Sequence, residues 1–144
     1  MNIEVNKNAK AYATEEMLIH APLEKVYGLV SDINNWTEWQ TAVTEAKLNG
    51  KFSESTEFRW KANGMNIHSK LHTVQQNAKI GWTGKMFWIK AVHNWWCTAK
   101  GESTLVKDEE SLSGFGSSLM KKSLAEGMTK NLIELKKRAE KTKK

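Results

Sequence analysis

A chain of 144 residues with 40% hydrophobic and 26% charged side chains has the make-up of one globular domain, long enough to bury about two-thirds of its unfolded surface. Its net charge of +6 lies in residues 121–144, which hold nine Lys/Arg and three Asp/Glu; with arginine only at 59 and 138, this fits a solvated helix face and argues against a nucleic-acid partner. No apolar run approaches the roughly 20 residues of a membrane span, the start MNIEVNKNAK lacks a signal-peptide core, and the lone Cys97 cannot form an internal disulfide, so no membrane insertion and a cytoplasmic location are expected.

Thr14 to His20 alternates weakly and predicts a strand, with Met17 and Ile19 on one face. Pro22 opens a helix carrying Leu23, Val26, Tyr27 and Val30 at i, i+3, i+4 and i+7. Asp32 can cap a second short helical turn that sets Trp36 and Trp39 on one side. From Thr41 the rhythm becomes period two. Strands are predicted over 42–48, 56–62, 65–74, 79–83, 87–99 and 103–112. The turns between them fall at Asn49-Gly50, Asn63-Gly64, Gln75-Gln76-Asn77, Gly84-Lys85 and Gly101. Six strands on short loops form an antiparallel meander, which the first strand can join at an edge. Gly114 to Ser118 is a hinge into a long helix, whose apolar stripe is Leu124, Met128, Leu132, Leu135 and Ala139. Lys122, Lys130, Lys137 and Lys141 lie opposite, and a helix this polar must rest on the sheet. The expectation is a single α+β domain over residues 1–144, with a curved seven-stranded antiparallel sheet around one long C-terminal helix.

Parity then assigns faces. Phe87, Ile89, Ala91, His93, Trp95 and Cys97 form one set, less charged than the alternate set that includes Trp88 and Lys90, and are expected inside. Phe58 with Trp60, Ile67 with Ser69 and Leu71, and Ile80 with Trp82 join them. Seven tryptophans in a small domain demand either a large aromatic core or a cavity walled with rings, and composition leaves both open. Phe58, Trp60, Trp82 and Trp95 with the polar Ser69 and His93 match the mixture of a small-molecule site, and of an ordinary core. His93 is the leading polar candidate, able to orient a ligand carbonyl or move a proton near neutral pH; the alternative is a satisfied core histidine. Glu110 shares the parity of Thr104 and Val106, and can accept bonds from the free N–H groups of the final helix or pair with a ligand hydroxyl. His68 and His72 lie about 13 Å apart on one strand, too far for one ion, and are expected in solvent with Lys70. Trp36 and Trp39 form either a lid or part of the packing, and Gly127 leaves room for a ligand or a close contact. Cys97 is expected to be buried and inert. No metal site, phosphate loop, nucleophile elbow or dinucleotide fingerprint occurs, and no cofactor is expected.

The order and spacing of several short motifs resemble the START-like, helix-grip superfamily called SRPBCC, and within it the polyketide cyclase/dehydrase branch. They are Ile19-x-Ala21-Pro22-x-x-x-Val26, Asp32-x-x-x-Trp36-x-x-Trp39, Phe58-x-Trp60, Ile67-x-Ser69, Ile80-Gly81-Trp82-x-Gly84, Ala91-x-His93-x-Trp95 and Thr104-x-Val106-x-x-x-Glu110-Ser111-x-x-Gly114. The resemblance runs from Ile19 to Ala139. It implies a cavity between sheet and C-terminal helix for a small, largely hydrophobic molecule, with Trp39, Phe58, Trp60, Ser69, Trp82, His93, Trp95, Glu110, Gly127 and Met128 as candidate ligand-binding residues. It does not imply one activity, since such proteins include carriers, cyclases, dehydratases and chaperone-ATPase activators. Thr37, Ser55-Thr56, Gln75-Gln76 and Trp88 depart from the usual pattern, and Trp88 stands where it can narrow or cover the cavity mouth. The oligomeric state is left open.

Overall fold

Turn chemistry fixes the meander. Asn63 and Gly64 both take positive φ, 52° and 79°, as a two-residue hairpin requires, and Ala62 pairs with Met65 across them. The computed structural model describes residues 2–141. In chain order these form β1 (Ala11–Ile19), α1 (Leu23–Ser31), a 3-10 turn (Ile33–Glu38), β2 (Val43–Leu48), β3 (Glu57–Ala62), β4 (Met65–Gln75) and β5 (Lys79–Met86). Then follow β6 (Ile89–Lys100), β7 (Ser103–Gly114), a second 3-10 turn (Ser117–Met120) and α2 (Lys121–Glu140). The seven strands are antiparallel in the order β1-β7-β6-β5-β4-β3-β2, so β1 closes the meander at its last strand as an edge. This is the helix-grip α+β arrangement.

Three local expectations are corrected. The β5–β6 turn is not at Gly84-Lys85. Gly84 lies inside β5 opposite Ala91, where a Cβ would sit 3.3 Å from Ser69 Oγ, so this glycine serves packing and not a turn. The chain reverses instead at Phe87 and Trp88, with Phe87 at φ 54° and Met86 paired to Ile89. Phe87, expected inside, is therefore lifted out of the strand and is 81% exposed. Asp32 supplies no side-chain cap to the first 3-10 turn; its carboxylate accepts from Asn35 Nδ2 at 2.8 Å.

The third correction concerns His72, which is buried. A register shift between Leu71 and Thr73 sets an extra residue into β4, and the N-terminal segment covers it: Ile3 N–H donates to His72 Nδ1 at 3.2 Å. Asn94 Nδ2 donates to Ile3 O at 2.9 Å, and Asn6 N–H to Ser111 Oγ at 3.0 Å. This strap dries the outer face of the central strands, so Asn94 has no solvent contact. Gly81 makes the fit possible, because a Cβ there would lie 2.3 Å from both Asn94 Oδ1 and His72 Cε1. His68 remains outside, 2.5 Å from Glu57 Oε1.

The stripe on α2 buries Met128, Leu132, Leu135 and Ala139, and the helix lies along β1 and α1. Polar bonds tie its later turns: Lys136 Nζ donates to Leu18 O at 2.9 Å and His20 N–H to Glu140 Oε2 at 2.7 Å. Arg138 donates to Glu38 at 2.8 Å, and Thr41 Oγ1 to Glu134 Oε2 at 2.5 Å. Earlier in the helix, Thr129 Oγ1 donates to Glu15 Oε1.

Candidate functional site

The inner face is built by alternation on β6 and β7. His93 faces Glu110 across the pair and Trp95 faces Asp108, so i, i+2 spacing on each strand gathers an imidazole, an indole and two carboxyls. His93 Nε2 lies 2.5 Å from Asp108 Oδ1, and His93 Nδ1 lies 3.3 Å from Glu110 Oε1. The first contact is an aligned hydrogen bond; the second is an ion-pair distance without that alignment. Trp82 and Trp95 flank the imidazole, with ring centroids at 4.7 Å and 5.7 Å.

Burial alone would lower the His93 pKa, but the charges of Asp108 and Glu110 and the bond to Asp108 outweigh it and raise it to about 9. Burial likewise pushes Asp108 and Glu110 above the ordinary carboxylate range, against the pull of the imidazolium. The cluster thus holds a protonated histidine between two acids of raised proton affinity. Glu110 is its most accessible member, with 16% of its side chain exposed. It faces His93, and the start of α2 has no side-chain cap, so the structure favours the pairing role of this carboxylate over capping. Three buried polar atoms in the group have no protein hydrogen-bond partner among the described residues: His93 Nδ1, Asp108 Oδ2 and Trp95 Nε1. Buried polar atoms normally have a partner, so each of the three is open to one supplied from outside the protein.

The register of α2 against β1 locates the free space. Thr129 meets Glu15, Lys136 meets Leu18 and Glu140 meets His20, which matches about 1.5 Å of helix rise per residue against about 3.3 Å of strand. Extrapolated back, Gly127 lies level with Thr14, between Ala13 and Glu15, the β1 partners of Glu110 and Asp108. A Cβ on Gly127 would meet nothing within 4 Å. Gly127, itself half-buried, thus has open space beside it at the level along β1 of the acid–imidazole cluster, and the buried Met128 is the next residue along.

The remaining candidates form the far wall, and much of it is filled. Trp36 is buried against Phe58, Trp60 and Trp82 at centroid distances of 5.6, 5.2 and 5.4 Å, and its indole N–H donates to Val30 O at 2.9 Å. It is a plug in the core and not a lid; Trp39 is buried too. Trp60 Nε1 donates to Ser69 Oγ at 3.0 Å, so these two candidates satisfy each other. A separate cleft of about 1120 Å³ opens across β2–β5, lined by charged residues such as Lys47, Arg59 and Lys61 as well as by Phe58 and Trp60. No residue of α2 borders it, nor do Trp39, Ser69, Trp82, His93, Trp95 or Glu110. Trp88, expected at the cavity mouth, is exposed at the β5–β6 turn and stacks on Phe87. Cys97 is buried and its thiol pushed up to about 12 by desolvation.

Asp108 was absent from the sequence-derived candidates. The signal lay in its parity: it precedes Glu110 by two on the same strand, so whatever faced His93 from Glu110 had an acidic neighbour on the same side.

Comparisons with known proteins agree with this architecture. A Helicobacter pylori hypothetical protein, jhp0584, superposes with a TM-score of 0.82 at 13% identity, over 96% of this chain and 98% of that one. A START superfamily protein from Mycobacterium smegmatis gives 0.79 at 15% identity, over 90% and 97%. StfQ, a di-domain ARO/CYC from the steffimycin biosynthetic pathway, gives 0.75 at 18% identity, over 89% of this chain and 45% of that one. At such identities the likeness is one of fold. None of the curated proteins matches the chain. The family described as polyketide cyclase/dehydrase and lipid transport matches residues 10–140, nearly the whole chain, and the protein belongs to that family.

Proposed function

We propose that the protein binds a small, largely hydrophobic molecule with one polar end, held between the inner face of the sheet and the N-terminal half of α2. The observation that carries this reading is the coincidence of open space beside Gly127 with buried polar atoms of His93, Asp108 and Trp95 that lack an aligned protein hydrogen bond, at the same level along β1. The ligand's polar group would bond to Glu110 and His93 and its apolar part would lie against Trp82, Trp95 and Met128. Such a mixture of ring surface and few polar atoms suits a carrier or sensor. Native mass spectrometry of protein purified from its host tests it: a co-purifying molecule absent from Gly127→Phe supports the reading, whereas the same load on both proteins refutes this location.

One observation favours a second reading, an acid–base enzyme of the cyclase or dehydratase kind. Glu110 combines a raised proton affinity, partial exposure and a neighbouring imidazolium, which is the equipment of a general acid. Turnover of an aromatic-ring-forming polyketide substrate that is lost in Glu110→Gln, with binding retained, would select this reading over the carrier.

A further inference from the structure

Four large apolar side chains stand in solvent at one end of the molecule: Phe87 at 81%, Trp88 at 74%, Phe115 at 85% and Leu119 at 87% exposure. The fold brings them together from two turns. Ile89 pairs with Gly114, and Gly114 presses so closely on the β5–β6 turn that a Cβ would fall 2.1 Å from Trp88 O. Phe115 follows at once, and Leu119 lies in the 3-10 turn beyond it, its N–H bonded to Gly116 O at 3.2 Å. Phe87 and Trp88 are stacked on each other at 6.2 Å rather than folded back on the protein. Isolated exposed apolar residues are ordinary, but four on adjoining turns are not.

Charge identifies the occupant. Lys85 and Lys90 face each other directly across the hairpin, a like-charge pairing unfavourable in the free protein, and Lys121 and Lys122 follow Leu119. All four are exposed, and no Asp or Glu occurs between residues 78 and 101 or between 111 and 125. The geometry points to a membrane-docking tip: Phe87, Trp88, Phe115 and Leu119 enter the headgroup boundary of an anionic lipid surface while the lysines meet its phosphates. Aromatic and leucine side chains ringed by lysine are the composition that binds such an interface without spanning it. A second copy is the poorer occupant, because a twofold contact through this tip would set lysine against lysine. The proposal is independent of the ligand reading above.

The test is co-sedimentation of the full chain with phosphatidylcholine vesicles, with and without phosphatidylglycerol, at low and high salt. Binding is expected only with the anionic lipid, weakened by salt. Trp88→Ser with Phe115→Ser should lower partitioning more than tenfold, and Lys85→Gln and Lys90→Gln about fivefold each. Circular dichroism and the melting temperature should not move, because these side chains are exposed. No binding to anionic vesicles, or equal binding by wild type and variants, overturns the proposal. So does a wild-type dimer that the Trp88→Ser, Phe115→Ser variant abolishes, since the patch would then belong to a second copy.

Discussion

The His93 cluster makes stability depend on pH in a defined window. In the unfolded chain an imidazole titrates near its ordinary 6.5, while in the folded protein His93 holds its proton to about 9. Below about 6.5 it is protonated in both states and the stabilisation is fully present. As pH rises toward 9 the unfolded chain loses its proton first, so stability falls by about 1.4 kcal/mol per pH unit, for a total of about 3 kcal/mol. The raised carboxyls of Asp108 and Glu110 act in the same sense from lower pH, and Cys97 contributes only above the ordinary thiol range. The assay is urea unfolding followed by circular dichroism from pH 5.5 to 8.5, choosing conditions with constant ionic strength. His93→Phe should change the slope between pH 6.5 and 8.5, because the imidazolium's share is lost while Asp108 and Glu110, without their counter-charge, hold their protons to higher pH. It should also cost about 3–5 kcal/mol near pH 6, because it strands Asp108 in the interior; His93→Phe with Asp108→Leu should recover part of that loss. A flat wild-type profile across this window, or a slope unchanged in His93→Phe combined with Asp108→Leu and Glu110→Gln, would refute the imidazolium assignment.

Gly127→Phe should keep the protein folded within about 1.5 kcal/mol while reducing uptake of 2-naphthol, followed by tryptophan quenching; unfolding by several kcal/mol would mean the site is packed. Gly114→Ala combines φ 108° with a clash on Trp88 O and should cost at least about 2 kcal/mol by chemical denaturation. Leu132→Ala, on the buried stripe of α2, should lose about 2–5 kcal/mol, and a loss below about 1 kcal/mol would show that the helix does not seal the core. Hydrogen exchange should be slowest in β6, which is paired on both sides and covered on both faces along its centre; fast exchange throughout Ile89–Lys100 would contradict the topology.

Where period two was clean, residue pattern located the face correctly even on strands whose turn it misplaced: Phe58, Ser69, Leu71, Trp82 and Trp95 are all buried as expected. Pattern failed where a contact distant in sequence decided the matter. Gly84 looks like a turn residue until Ser69 is known to press on it, and that contact belongs to β4. His72 looks solvated until residues 2–6 are laid over it and a bulge shifts its strand. Within the site, His93 and Glu110 were legible because each sits on an alternating strand. Their mutual contact was not, since it depends on the β6–β7 register, and register decides which acid meets which nitrogen. Trp36 was likewise visible as a residue, but only packing shows it plugged among three rings.

The anchorage of α2 is lopsided, and that has a consequence for entry. Glu134, Lys136, Arg138 and Glu140 hold the last two turns to two stretches of the chain, residues 18–20 and 38–41. The first turns have no cap, begin after two glycines at positive φ, and have Thr129 as their polar tie to β1. With fewer polar ties, the first turns rest on the packing of Leu124 and Met128, so they are the part of α2 expected to open before the last two turns. Gly127 lies among them. On the proposed ligand reading, a molecule bound for His93 would have a route past these first turns that leaves the sheet and the later turns untouched, and its rate of passage would be set by how often they open.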